Sequence, residues 1–186
     1  GFDAVVGNQP YDVLAEKERE EDLNYLFKYI ESDNDLVPAL GRKVDLFRLF
    51  TAKASHIVRP QCVFGFIVPM SLLADQQTFN LREFLLTKRR ILLIEAFPQK
   101  DDPKRRVFHE AKLPTCILVA KREQSNQQPF TVRVHPGRLF EEVSGEYQIT
   151  PVQIEVFDPD SLMIPLLSSQ TAVDLAVKLA SAPHLE

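Results

Sequence analysis

An amide and an aromatic ring, Asn8 and Tyr11, close an apolar run at the start of this chain. The run and its turn read Phe2-Asp3-Ala4-Val5-Val6-Gly7-Asn8-Gln9-Pro10-Tyr11. A side-chain amide both donates and accepts hydrogen bonds, and a ring offers a face for stacking. Held on a turn that Pro10 stiffens, the two can grip a flat polar ligand, one by its edge and one by its face. A four-residue turn is a weak signature by itself, because Asn and Pro are common in turns. A strand-end turn with a core tyrosine accounts for the same residues. Other chemistries have less support. His56, His109 and the separated Cys62 and Cys116 have no metal-ligand spacing. The chain carries no Gly-rich phosphate loop and no compelling Ser-His-Asp order.

The apolar run itself reads as a buried parallel strand. In open α/β sheets, ligands lie just beyond the carboxyl ends of such strands, which is where the turn falls. A helix is expected to begin near residues 19–22 and run to Ile30, with Asp12 a candidate cap. Residues 32–42 read as a loop, rich in Asp, Asn, Pro and Gly. It fits a lid, a DNA contact or plain surface equally. The clearest helical period spans Val44 to Val58, with Val44, Phe47, Phe50 or Thr51, Ala54 and Ile57 or Val58 on one face. Asp45 there is better placed to cap than to catalyse, and Arg59-Pro60 ends the period. A central strand follows over Cys62 to Val68, closed by Pro69. Phe79, Leu81, Phe84 and Leu85 predict another helix, with Asn80 as its cap and Lys88-Arg89-Arg90 at its carboxyl end. Strands are expected at 91–97 and 113–120, on either side of a charged loop. The gap between them is too short for a crossover helix, so they should be antiparallel neighbours. This alternation predicts an α/β chain built as half of a doubly wound sheet. After a polar linker, Phe130 to Val134 alternates as an exposed strand and Val152 to Phe157 alternates less cleanly. Residues 169–182 can form a last helix with Val173, Val177 and Leu179 inward.

The turn and its surroundings resemble the Asp/Asn/Ser-Pro-Pro-Tyr/Phe motif of DNA methyltransferases that modify an exocyclic amino group. The version here is similar to the Asn-Pro-Pro-Tyr form typical of adenine enzymes, within large type II restriction-modification proteins. The resemblance covers residues 1–123 well and the rest loosely. It implies the second half of an S-adenosylmethionine-dependent, Rossmann-like methyltransferase sheet whose last strand is antiparallel, followed by a C-terminal extension. Residues 124–184 would then lead toward a target-recognition domain. Carried onto this chain, the Asn8 side-chain oxygen and the Gln9 carbonyl would accept from adenine's amino group. Tyr11 would stack on the flipped base, and Phe108, in Val107-Phe108-His109-Glu110-Ala111-Lys112, would close its other side. A core phenylalanine explains Phe108 as well. Asn8 and Pro10 would border the cofactor, whose main binding motif would precede residue 1. Gln9 stands where the family has its first proline, so weaker activity, a changed substrate and inactivity all remain open. Arg105, Arg106 and Lys112 could touch DNA phosphates, although a solvated charge run explains them equally.

The bulk properties set further bounds. The 186 residues suffice for one sizeable core, or one core and an appendage. A formal net charge of -4 argues mildly against a non-specific nucleic-acid binder. The two cysteines lie in apolar runs and read as buried hydrophobes in a reducing, cytoplasmic setting. No apolar stretch is long enough to span a bilayer. The opening on a strand and the terminal Leu185-Glu186, which resembles an expression-vector scar, suggest a piece of a longer protein that is inactive alone. A sheet cut in this way leaves an edge that can pair with a second copy. Double-stranded DNA is the expected partner and S-adenosylmethionine the expected cofactor. Two alternatives stand beside this reading: a non-catalytic DNA-binding or assembly module, and a methyltransferase for another planar amine or amide.

Overall fold

The apolar run at the start of the chain forms β1 (Phe2–Asn8), and it is not buried as expected: it lies at the edge of a six-stranded sheet, with Val5 alone partly covered. The structure, a computed structural model, describes residues 1–14, 21–41, 44–125 and 127–182, without the side chains of 21–24 and 26. The scar-like pair at 185–186 falls outside the described residues. A two-stranded ribbon joins β2 (Val13–Leu14) to β3 (Val44–Asp45). Asp12 therefore leads into a strand, and its carbonyl accepts from the Leu46 amide at 2.9 Å. It does not cap the first helix, α1 (Glu21–Ser32), which begins within the expected range.

The stretch after α1, expected to be a loop, winds into a 3-10 helix at Asn34–Ala39. Asp33 caps it by accepting from the Asp35 amide, and Leu36 and Ala39 are buried. Lys53 ties it down through Asp33 at 2.7 Å and Asp35 at 3.0 Å. These contacts anchor the stretch to α2 (Leu46–Ile57), which buries Phe47, Leu49, Ala52 and Ala54. Asp45 occupies the cap position of α2, but its carboxylate pairs with buried Arg48 at 2.8 Å and makes no side-chain cap bond.

Arg59-Pro60 does not merely end that helix. The central strand β4 (Val58–Pro69) has already begun, and it is longer than its apolar run. Gln61 adopts a positive φ of 65°, and the pairing with β1 shifts register between Phe2 and Ala4. A bulge thus lets the polar start of β4 join the sheet. After Pro69 come α3 (Ser71–Ala74) and α4 (Phe79–Lys88). Thr78, not Asn80, holds the cap position of α4, while the Asn80 amide donates to the Leu40 carbonyl at 3.2 Å. Lys88 lies in the last turn, where a cation is favoured.

The remaining strands are β5 (Arg90–Phe97), β6 (Thr115–Lys121), β7 (Phe130–Val134) and β8 (Gly145–Ile149). The sheet order is β1-β4-β6-β5-β7-β8. β6 is antiparallel to both β4 and β5, as the short gap required. β1 is parallel to β4, and β7 is parallel to β5. Four strands therefore end on one rim, at Asn8, Pro69, Phe97 and Val134. The chain has an α/β, Rossmann-like fold with a mixed sheet and a C-terminal helical extension.

The expected division after residue 123 falls between strands of this one sheet. β7 is an interior strand with Phe130 and Val132 buried, not an exposed one. Gly145 starts β8 where the backbone of Leu167 and Ser168 passes so close that an added Cβ would lie 2.3 Å from the Leu167 oxygen. Val152 to Phe157 is not a strand; it lies in α5 (Pro151–Phe157). The Thr150 hydroxyl accepts from the Gln153 amide, the Gln153 side chain bonds back to Thr150, and Pro151 sits in the first turn. This capping box outweighs the β-branched composition. The last helix, α6 (Gln170–Ala180), is capped by Ser169 and buries Val173. Leu179 points outward, 66% exposed, contrary to expectation. Among the described residues no helix is long and apolar enough to cross a membrane.

Candidate active site

The site begins with a glycine. Gly7 stands beside Phe66 in the β1–β4 register, and a Cβ there would lie 2.9 Å from the Phe66 ring. Its absence makes room for that ring, and the next pair in the register is Asn8 with Ile67. β1 ends at Asn8, whose side chain is exposed on the carboxyl rim. Pro10 then holds the turn, and Tyr11 folds back over the strand ends. The Tyr11 hydroxyl donates to the Ile67 carbonyl at 3.2 Å and makes a long contact, 3.4 Å, with Asn8 Oδ1. The ring is thereby fixed against β4, while the Asn8 oxygen keeps most of its accepting capacity.

The loop of residues 98–114 leaves β5 at this rim and returns to β6 at the same rim. It carries Phe108 back to Tyr11. The two ring centroids are 5.9 Å apart with planes at 71°, an edge-to-face contact. Phe108 is thus not simply part of the sheet's core. Nor does it lie across an open gap from Tyr11, because the rings touch each other directly. A base held between them requires one ring to turn. Asn8, Gln9, Pro10, Tyr11 and residues 108–111 line an open cleft of about 610 Å³. A smaller cavity of about 190 Å³ lies on the other side of Tyr11, against Pro69, Ser71 and Asp75.

The three cations proposed from sequence have different surroundings. Arg105 is exposed and donates to the Pro136 carbonyl at 2.8 Å. Lys112 is exposed. Arg106 is buried and donates to the His109 carbonyl, while its Nε and Nη1 have no partner among the described residues. Its attachment is to the loop that carries Phe108, so it is not part of a solvated charge run. Sequence reasoning also missed the burial of the Gln9 side chain, which is 6% exposed. Charge and polarity along a chain carry no signal of burial, and no local pattern could have shown either one.

Half-burial pushes the Tyr11 hydroxyl up to about 12, and the neighbouring Cys116 adds to the effect. A tyrosine of raised pKa holds its proton in the folded state where the unfolded chain has lost it, so it contributes stability that is fully present below pH 10. That contribution fades as pH rises toward 12. Tyr11→Phe should therefore flatten the loss of stability between pH 10 and 12, as measured by denaturant unfolding at a series of pH values. An unchanged slope would mean that Tyr11 is as open to solvent as a free phenol.

Residues 1–102 match the family model described as Eco57I restriction-modification methylase. Among solved structures, the chain is similar to the type IIG restriction endonuclease BpuSI, with 22% identity over 72% of this chain and 15% of that one, at a TM-score of 0.52. It is also similar to the type I restriction-modification methyltransferase subunit from Streptococcus thermophilus, with 17% identity over 72% of this chain and 26% of that one, at a TM-score of 0.53. The M protein of the type I restriction enzyme EcoKI matches 95% of this chain and 48% of its own length, with 11% identity and a TM-score of 0.58. At these identities the structural likeness concerns the fold alone. The chain spans less than half the length of each of these proteins.

Proposed function

We propose a function from one premise: this chain belongs to the Eco57I restriction-modification methylase family. The chain is the base-holding half of a DNA methyltransferase that acts on the exocyclic amino group of adenine, in a type II restriction-modification system. The observation that carries this reading is the Asn8–Tyr11 turn. It lies on the carboxyl rim of the sheet, at an open cleft, with the Phe108 ring beside it.

Adenine's amino nitrogen is a poor nucleophile, because its lone pair is delocalised into the ring. Asn8 Oδ1 and the Gln9 carbonyl accept its two N–H groups and draw the nitrogen toward a tetrahedral shape. They also aim it for in-line attack. Tyr11 stacks on the extruded base, a contact worth roughly 1–3 kcal/mol. Phe108 turns out of its edge-to-face contact to cover the opposite face. Arg106 holds the Phe108 loop through the His109 carbonyl, while exposed Lys112, and Arg105 beside its bond to the Pro136 carbonyl, meet phosphates along the rim. S-adenosylmethionine, when bound, supplies a methyl group on a sulfonium sulfur. Asn8 and Pro10 fit the border of its site, being the cleft residues next to the strand end. Residues elsewhere in the longer protein hold the rest of the cofactor, so the 186-residue chain alone is inactive.

The test is to express the full-length protein in a host free of DNA methylation and to measure modified bases in hydrolysed DNA by mass spectrometry. N6-methyladenine is the expected product. N4-methylcytosine, or no modified base, would overturn the adenine assignment.

A further inference from the structure

We infer that the Gln9 side chain is a specificity-determining group: its amide donates to the ring nitrogen beside the target amino group, while the same residue's carbonyl accepts from that amino group. The inference rests on the reading of the cleft as an amine-methylating site. Gln9 lines the cleft together with Asn8 and Tyr11. The residue is 6% exposed, yet neither Oε1 nor Nε2 has a hydrogen-bond partner among the described residues. Buried amides are almost always satisfied, and leaving both atoms unpaired destabilises the fold. A group kept at such a cost in a ligand cleft points to a partner that arrives with the ligand.

The chemistry of that partner follows from the amide. Nε2 is a donor, so it needs an acceptor within reach of the Gln9 backbone carbonyl, which is itself an acceptor facing a donor. An amino group next to an unprotonated ring nitrogen supplies this pair, as on the Watson–Crick edge of adenine. Pro10 restricts the backbone of Gln9 to extended conformations. The carbonyl is thereby fixed, and the buried side chain lies at the wall of the same cleft. A proline at position 9 would offer the carbonyl alone. Gln9 therefore adds a second point of reading.

The experiment uses the full-length protein, its Gln9→Met and Gln9→Pro variants, and duplexes carrying either adenine or 1-deazaadenine at the methylated position. In 1-deazaadenine a C–H replaces the ring nitrogen beside the amino group. With adenine, both variants should show a KM raised about tenfold, the worth of one neutral hydrogen bond. With 1-deazaadenine, all three proteins should show the same KM. Gln9→Met should also raise the melting temperature, because it removes an unpaired buried amide. Equal penalties for the variants on both duplexes would overturn the inference. So would a lower melting temperature for Gln9→Met, since the amide would then be satisfied by another part of the protein. Failure of the wild-type protein to methylate either duplex would instead remove the functional reading on which the inference stands.

Discussion

Asn8→Ala in the full-length protein is expected to lower kcat for methyl transfer to adenine on the order of 100- to 1000-fold, the usual effect of removing one preorganised group that acts on developing charge. The melting temperature should stay where it is. Both expectations come from the same geometry. Asn8 is held by its backbone, in register with Ile67, while its side chain projects from the rim. The one bond that its Oδ1 accepts from Tyr11 is long, 3.4 Å, and the Tyr11 hydroxyl has a nearer acceptor in the Ile67 carbonyl. Deleting the amide therefore leaves the fold almost untouched. It removes an acceptor whose value appears only as the amino nitrogen becomes tetrahedral, so KM should change little. Asn8→Asp keeps an acceptor oxygen in place and should retain more activity than Asn8→Ala. A kcat within twofold of the wild type for the alanine variant would remove Asn8 from the chemistry.

That turn was legible in the sequence because strand, amide, proline and ring are adjacent, so a local pattern could carry the whole arrangement. Four of the strands were legible for a similar reason. All four are near-continuous apolar runs, but only β4, β5 and β6 are buried in the sheet; β1 is exposed along its edge, with Phe2 60% and Val6 79% exposed. The antiparallel insertion of β6 followed from chain length alone. What stayed hidden depends on distant partners. β8 reads Gly145-Glu146-Tyr147-Gln148-Ile149, a clean alternation, but it is lost among Pro and Gly residues that suggest only turns. α5 was misread because its Val and Ile side chains favour strands, while the deciding signal lay one residue earlier, in the Thr150–Gln153 box. Buried Arg48 and Arg82 look in sequence like any surface cation on a helix. The same blindness applies at the site, where Phe108 could be proposed from its place before a strand but the burial of Gln9 and Arg106 could not.

A chain cut after Glu123, at the boundary that sequence composition suggested, is expected not to fold cooperatively. The residues beyond it complete the sheet. β7 pairs along β5 from Leu93 to Ala96, and Phe130, Val132, Tyr147, Ile149, Ile154, Ile164 and Val173 are all buried. Each such side chain contributes about 1.5–3 kcal/mol on burial. Their sum matches or exceeds the roughly 5–15 kcal/mol by which a whole domain is stable. Polar groups deepen the loss. Glu95 is buried in β5 with its carboxylate 2.7 Å from His135 Nε2 and 3.1 Å from Arg133. Cutting removes both partners of this carboxylate together with the strand that covers it. Arg82, 1% exposed, donates from Nε to the Ser161 carbonyl at 3.0 Å, and the Ile164 amide donates to the Leu73 carbonyl at 2.9 Å. The tail thus fastens the helices after β4 as well as the edge of β5. Circular dichroism of the purified 1–123 and 1–182 chains during thermal unfolding distinguishes the cases. Only the longer chain should show a single sharp transition. A cooperative melt from the shorter one would make residues 124–182 a separable appendage, and the carboxyl rim that presents Asn8 would owe nothing to β7 and β8.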